Sequence, residues 1–222
     1  ATLRSFRGVG GAQMIRHAQK GYFLGSKVVS QTERDIKIYW SQAERKISVD
    51  AAPIKKLTDY LGTLRAVVFC TEDLQLVKGT ARLRRRFIDL LLSQTQPGYL
   101  DSLQRYTRAV RSRNAILKQR SIDDTLLSSF SHEVLELGNH LITARKQLIP
   151  KISPLVRLAY RRISSDAEEL RMEYKPSVKE DFAGELAHSR DRERRYKSTL
   201  VGPHRDDLAL LRLFLCSVGD ND

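Results

Sequence analysis

Two short stretches and a set of arginines hold the residue types that can do chemistry in this chain. Glu72-Asp73 is a carboxylate pair that follows an apolar run, Ala66-Val67-Val68-Phe69. Adjacent carboxylates in a turn can accept a metal-bound water or cap the free amides of the turn itself. His204-Arg205-Asp206-Asp207 concentrates donors and acceptors directly after Gly202-Pro203. A tight turn of this kind more readily holds an interface by ion pairs than approaches a phosphate. Arg82, Arg84, Arg85 and Arg86 open a helix, where positive charge opposes the helix dipole, a local cost that an anion or an acidic partner would offset. Arg105, Arg108 and Arg111 are spaced i, i+3, i+6 and lie along one helical ridge. With Arg190 to Lys197 they can track a nucleic-acid backbone without reading its sequence, or pair with Glu and Asp on a solvated face.

Other chemistries find no support. Nucleotide hydrolysis on a phosphate loop needs glycines whose amides cradle phosphates, followed by Lys and then Ser or Thr. Gly21-Tyr22-Phe23-Leu24-Gly25-Ser26-Lys27 has Ser and Lys in the wrong order and is rich in β-forming residues. No acidic residue follows an apolar run in the manner of a Walker B strand, and no Ser-Gly-rich signature occurs. The five His and the two Cys, Cys70 and Cys216, are scattered, so no hydrolytic triad, zinc site or disulfide framework is indicated.

The chain's 222 residues, 41% of them hydrophobic, suffice for one large domain or two small ones. A formal charge of +13 attracts polyanions, nucleic acid first. No apolar run is long enough to span a bilayer, and Ala1 to Gly11 lacks a signal-peptide core, so no membrane partner and a cytoplasmic location are expected.

The elements that would position these residues are of two kinds. Residues Gly21 to Val29, Asp35 to Trp40 and Lys46 to Val49 read as strands of an antiparallel meander, with Ile36, Ile38 and Trp40 on one face. Pro53 is expected to open a helix over Ile54 to Leu61, ended by Gly62, and Leu64 to Phe69 to form a strand. Past Gly79 the periods become helical. Leu83, Phe87, Leu90 and Leu91 mark one stripe; Leu103, Tyr106, Val110 and Leu117 a second; Leu127, Phe130, Val134, Leu137, Leu141 and Leu148 a third. Pro150 and Pro154 are expected to interrupt the third helix. Glu168 to Tyr174 reads as a strand, Ser177 to Glu180 as a capping box, and Leu208 to Leu213 as a strand returning to the sheet. The fold class is therefore α+β, with a helical lobe inserted between sheet-forming parts.

Thr71-Glu72-Asp73-Leu74-Gln75-Leu76-Val77-Lys78-Gly79, running into Arg84-Arg85-Arg86-Phe87-Ile88-Asp89, resembles the first signature of the RecF family of DNA replication and repair ATPases. In that family an acidic loop, a Leu-x-Leu-Val-Lys-Gly turn and an Arg-Arg-x-Phe-Leu-Asp helix start follow one another at this spacing. Gly202-Pro203-His204-Arg205-Asp206-Asp207-Leu208 is similar to a second signature, in the right order, and Leu3-Arg4-Ser5-Phe6-Arg7 resembles a segment that follows the nucleotide-binding helix of ABC-type heads. The departures are Thr71 and Ala81, where the family usually has Pro, and Ile88 for Leu.

The resemblance implies part of an ABC-type, SMC-like ATPase head with an inserted helical lobe. Residues 1–78 are expected to belong to a head lobe with the meander, 79–193 to the helical lobe, and 194–222 to a return strand with an atypical tail. It further implies ATP and Mg2+ as cofactors of the full-length protein, an ATP-dependent homodimer, DNA at gaps or junctions as ligand, RecO and RecR as partners, and roles in recombinational gap repair and SOS induction. Arg7, Glu72, Asp73, His204, Arg205 and Asp206 become candidates for nucleotide binding or coupling. Arg84, Arg85, Arg86, Arg105, Arg108 and Arg111 become candidates for DNA contact. The chain reads as an internal piece of a weak ATPase, without the Walker A, signature and Walker B motifs and inactive alone; the alternative is a basic helical nucleic-acid-binding or scaffold module without ATPase activity.

Overall fold

The computed structural model describes residues 9–29, 32–60, 63 and 70–214. They fall into two units, one comprising Ala1–Gln75 with Ser93–Pro97 and the other Leu76–Leu92 with Gly98–Asp222. The fold is α+β.

In the first unit β1 (Gly21–Val29), β2 (Glu33–Ser41), β3 (Arg45–Val49) and β4 (Ala52–Pro53) form an antiparallel sheet in sequence order. Register places Ile36 opposite Val49 and Ile38 opposite Ile47, so the apolar members of the alternation share a face. Ile36, Ile47 and Val49 are buried there with Tyr60. Tyr22 stacks on Trp40 with ring centroids 5.6 Å apart. Pro53 does not open a helix. It pairs with Ser48 at the sheet edge, where a missing N–H is tolerated, and Ile54 N–H still donates to Ile47 O at 2.8 Å. The helix that follows, α1 (Leu57–Tyr60), is a single turn. The expected helix end at Leu61 and Gly62 and the strand at Leu64–Phe69 lie outside the described residues.

Thr71–Leu74 form a 3-10 turn, and α2 (Gln75–Lys78) leads to Gly79. The second unit is built on α3 (Ala81–Thr95), which belongs to it as far as Leu92, α4 (Tyr99–Leu117) and α5 (Asp124–Ile163), followed by β5 (Glu168–Lys175), α6 (Phe182–His188), α7 (Arg190–Tyr196), a 3-10 turn at Pro203–Arg205 and β6 (Asp207–Phe214). β6 pairs antiparallel with β5, Met172 lying opposite Leu210. One core joins Ile88, Tyr106, Val134, Leu137, Leu141, Phe182 and Leu208, so α3, α4, α5, α6 and the β5–β6 pair share it.

Three local expectations are corrected. On α3 the buried apolar residues are Ile88 and Leu92, while Phe87 and Leu90 are exposed. The phase differs because Arg84, Arg85 and Asp89 also turn toward protein partners, and an apolar count cannot see charge facing inward. α5 runs through both prolines. Pro150 and Pro154 stand four residues apart on its exposed side, as does Lys146, so the carbonyls that lose amide partners can be solvated while Ile149 stays buried. The capping box at Ser177 is replaced by Asp181, whose carboxylate accepts from Ala183 N (3.0 Å) and Gly184 N (2.9 Å). Ser177 is already engaged, its hydroxyl donating to Gly202 O at 2.7 Å.

Leu137 is 5% exposed at the centre of the shared core. Leu137→Ala is expected to cost ~2–5 kcal/mol of unfolding free energy, read from denaturant unfolding. An unchanged midpoint would contradict the helix packing described.

Candidate functional site

Gly202 starts the site and has to be glycine. Its φ is +129°, and a Cβ there would come within 2.6 Å of the Tyr106 hydroxyl and 2.9 Å of Phe182. Pro203 then begins the 3-10 turn that delivers Asp206 into the unit, where it is fully buried. Asp206 Oδ1 accepts Ser177 N–H at 2.8 Å. Asp206 Oδ2 accepts Arg145 Nη1 at 2.9 Å and the Tyr174 hydroxyl.

Arg145, 2% exposed on α5, is the centre of this network. Nη1 also donates to Pro203 O at 2.7 Å, and Nη2 donates to Asp89 Oδ1 at 2.8 Å. Tyr99 donates its hydroxyl to the same Asp89 oxygen at 2.6 Å. Burial works against the guanidinium charge, but Asp89 and the surrounding oxygens outweigh it and raise the Arg145 pKa. Burial, and then the neighbouring carboxylates, push the phenols of Tyr99 and Tyr174 up, so both remain donors at neutral pH.

The rest of the turn is fixed in the same way. His204 Nε2 donates to Thr199 O at 3.1 Å, which leaves Nδ1 to accept the Tyr106 hydroxyl at 2.6 Å. Arg84 holds Asp207 through two parallel bonds of 2.8 and 3.0 Å, raising its own pKa and lowering that of Asp207. Arg85 donates to Asp206 O, and burial lowers its pKa. Nearby, Arg113 on α4 is buried against Glu193 of α7 at 2.6 Å and also donates to Ser131 Oγ and Thr199 Oγ1, both at 2.9 Å. Glu193 returns a second oxygen to Leu200 N at 2.8 Å.

The expected site residues are thus distributed. His204, Asp206, Arg84 and Arg85 come together around the Gly202–Asp207 turn, Asp206 buried and the other three partly buried, and each bonds to protein groups there. Arg205 is exposed and reaches Thr199 O at 3.2 Å. Arg86, Arg105, Arg108 and Arg111 are exposed; Arg105 lies 3.7 Å from Glu133. Glu72 and Asp73 belong to the meander unit, where Asp73 accepts Cys70 N at 2.8 Å as a cap and Glu72 accepts the Thr71 hydroxyl at 3.2 Å. Arg7 lies outside the described residues. Among the described residues no cluster of His, Cys, Asp and Glu is arranged to hold a metal, and no helix is long and apolar enough to cross a membrane.

The sequence reading puts Arg113 on the outer basic side of its helix with Arg105, Arg108 and Arg111, whereas it is 2% exposed and turned inward to Glu193. Arg145 and Glu193 are not among the expected site residues, and Asp89 enters only as the end of the first signature, yet two of the four carry a signal. Arg145 continues the Leu137, Leu141 stripe at i+4, and Arg113 interrupts the Tyr106, Val110, Leu117 stripe. An arginine in an apolar stripe marks a buried ion pair waiting for its partner.

No family model matches the chain. The DNA replication and repair protein RecF of Symbiobacterium thermophilum is 33% identical over 94% of this chain, and that of Streptococcus pneumoniae 34% identical over 94%. The chain spans 59% and 60% of the length of these relatives. Two solved structures of the recombination mediator protein RecF in the RecFOR pathway, described with ATPrS and with ATP, superpose with TM-scores of 0.87 and 0.86. They cover 96% and 94% of this chain at 25% and 26% identity, and the chain covers 61% and 60% of theirs. The chain belongs to the RecF family. The mixed helix and antiparallel-sheet architecture matches the corresponding part of the RecF fold.

In this RecF-family chain burial holds the His204 imidazole down to about 4, against 6.5 for a free side chain. Between those values the unfolded chain binds a proton that the folded chain refuses. The contribution of neutral His204 is therefore complete above pH 6.5 and is lost as pH falls toward 4, by up to ~3 kcal/mol. Asp207 loses its own contribution only below its ordinary value of 3.8, so the two windows are separate. Stability measured by urea unfolding is expected to fall more steeply from pH 6.5 to 4.5 for the unsubstituted protein than for His204→Gln. Parallel curves would contradict the assignment of a buried, neutral imidazole.

Proposed function

We propose that the full-length protein containing this chain is a DNA replication and repair protein of the recombination-mediator type, and that the exposed arginine ridge of α4 is one of its DNA-contacting surfaces. The single observation that carries this reading is Arg105, Arg108 and Arg111 standing exposed in register on one helix of a chain with formal charge +13. Such a ridge meets a phosphate backbone and supplies no set of polar side chains for reading base edges. The names of the relatives and the RecFOR pathway of the solved neighbours support the same assignment.

The finer parts belong to the same proposal. The ligand is gapped or junction DNA, bound in an ATP-dependent way by a homodimer that works with RecO and RecR in the cytoplasm, in gap repair and SOS induction. Residues 1–78 serve the ATPase head, 79–193 the helical lobe, and 194–222 the return to the head. ATP use is supported by the ATP-bound solved neighbours. Three of the nucleotide candidates are already engaged within the chain. Asp73 is spent as a cap, Asp206 on Arg145, Tyr174 and Ser177, and His204 on Tyr106 and Thr199. No phosphate or Mg2+ contact is therefore assigned to them.

Each arginine that neutralises a phosphate releases condensed counterion and contributes about 0.9 to the log–log salt slope on duplex DNA. Changing Arg105, Arg108 and Arg111 together to Ala in the full-length protein is expected to weaken binding evenly across unrelated sequences and to flatten that slope. Titrations at several salt concentrations test this. Equal slopes in a folded variant would return the ridge to an ordinary solvated face.

A further inference from the structure

A second surface of the helical unit combines positive charge with an exposed aromatic ring. Tyr196, the last residue of α7, is 64% exposed. Arg192 stands one turn before it, at i−4, where side chains of a helix are neighbours. Arg192, Arg195 and Lys197 are exposed as well, the last two being the neighbours of Tyr196 in sequence. Arg205, also exposed, rests on Thr199 O three residues beyond Tyr196.

The backbone beneath this surface is fixed. Glu193 is wholly buried, paired with Arg113, and its second carboxylate oxygen holds Leu200 N at 2.8 Å. Its carbonyl accepts Lys197 N and Ser198 N, closing the helix, and Lys197 turns the chain away with φ +51°. On the opposite flank Arg190 and Arg194 both pair with Asp124 at the start of α5. The exposed ring therefore sits on a helix end held by the Arg113–Glu193 and Asp124 ion pairs, on a segment that also carries exposed cations at positions 192, 195 and 197.

A buried tyrosine serves a core, and a lone surface cation serves solubility. An exposed ring on an anchored helix end, with exposed guanidinium and ammonium groups on the same short segment, offers the two things a single-stranded nucleic acid requires: a flat surface on which an unstacked base can lie, and positive charge for the flanking phosphates. A continuous duplex offers no free base face to such a ring. We propose that Tyr196 is a base-stacking residue for single-stranded nucleic acid, with Arg192, Arg195 and Lys197 contacting the adjoining phosphates. This deepens the DNA-binding reading above and rests on it, but it uses a different helix.

The test uses the full-length protein, an unstructured oligothymidine, and a blunt duplex of equal length. Stacking of one base on an aromatic side chain contributes roughly 5- to 150-fold in affinity. Tyr196→Ala is expected to lose affinity for the single strand within that range, to bind the duplex as before, and to keep its salt slope, since no cation has been removed. Tyr196→Trp is expected to retain single-strand binding, whereas Arg192→Ala is expected to flatten the single-strand slope by about 0.7. Single-strand affinity unchanged in Tyr196→Ala would overturn the inference, and so would equal losses on both DNAs. If the α4 triple variant still loses duplex affinity in the same experiment, the function proposed above stands without this residue. If neither surface affects either DNA, both fall.

Discussion

The helical unit depends on one buried arginine. Arg145 leaves water almost completely and is tolerated because Asp89, Asp206 and the Pro203 carbonyl each take one of its donors. Moving an isolated guanidinium into a protein interior is strongly unfavourable, and only close opposite charge with satisfied hydrogen bonds offsets it. The three segments joined in this way are remote in sequence, since Asp89 is on α3, Arg145 on α5 and Pro203–Asp206 between α7 and β6. A pairing that fails at any one of them leaves a buried charge exposed to low dielectric. The network thereby ties the entry and the return of the unit to its longest helix.

The neighbouring contacts follow the same logic and explain why the Gly202–Asp207 turn has its composition. Gly202 supplies the positive φ and the space that Tyr106 and Phe182 occupy, His204 bridges Tyr106 to Thr199 as a neutral ring, and Asp207 engages Arg84. Arg113 and Glu193 do for α7 what Arg145 does for the turn. A segment that reads like a ligand loop because of its dense donors and acceptors is here consumed by protein partners. Arg105, Arg108 and Arg111 of α4 and Arg192 and Arg195 of α7 are among the charges that remain exposed.

Much of the fold was legible in the sequence. The meander followed from alternation, and α4 and the first part of α5 from stripes that include Tyr106, Val110, Leu137 and Leu141. Legibility ended where tertiary contacts override local rules. Pro150 and Pro154 sit inside α5 because both face solvent, and Ser177 leaves its expected cap because Gly202 O competes for its hydroxyl. Of the cluster, the motif residues His204 and Asp206 were visible as a group, but their partners Tyr106, Tyr174 and Arg145 lie up to 98 positions away. Spacing along a chain does not encode pairing over such separations. The phase of α3 was misjudged for the related reason that Arg84 and Asp89, which look like solvent residues, face inward.

Arg145 and Asp206 stabilise the unit through their direct interaction and not through their separate volumes. A double-mutant cycle of Arg145→Met, Asp206→Asn and the pair, followed by denaturant unfolding, measures that coupling. Each single change is expected to cost ~3–5 kcal/mol, because it strands a buried charge. The double variant is expected to cost less than the sum by at least ~2 kcal/mol, whereas additive losses would contradict the account.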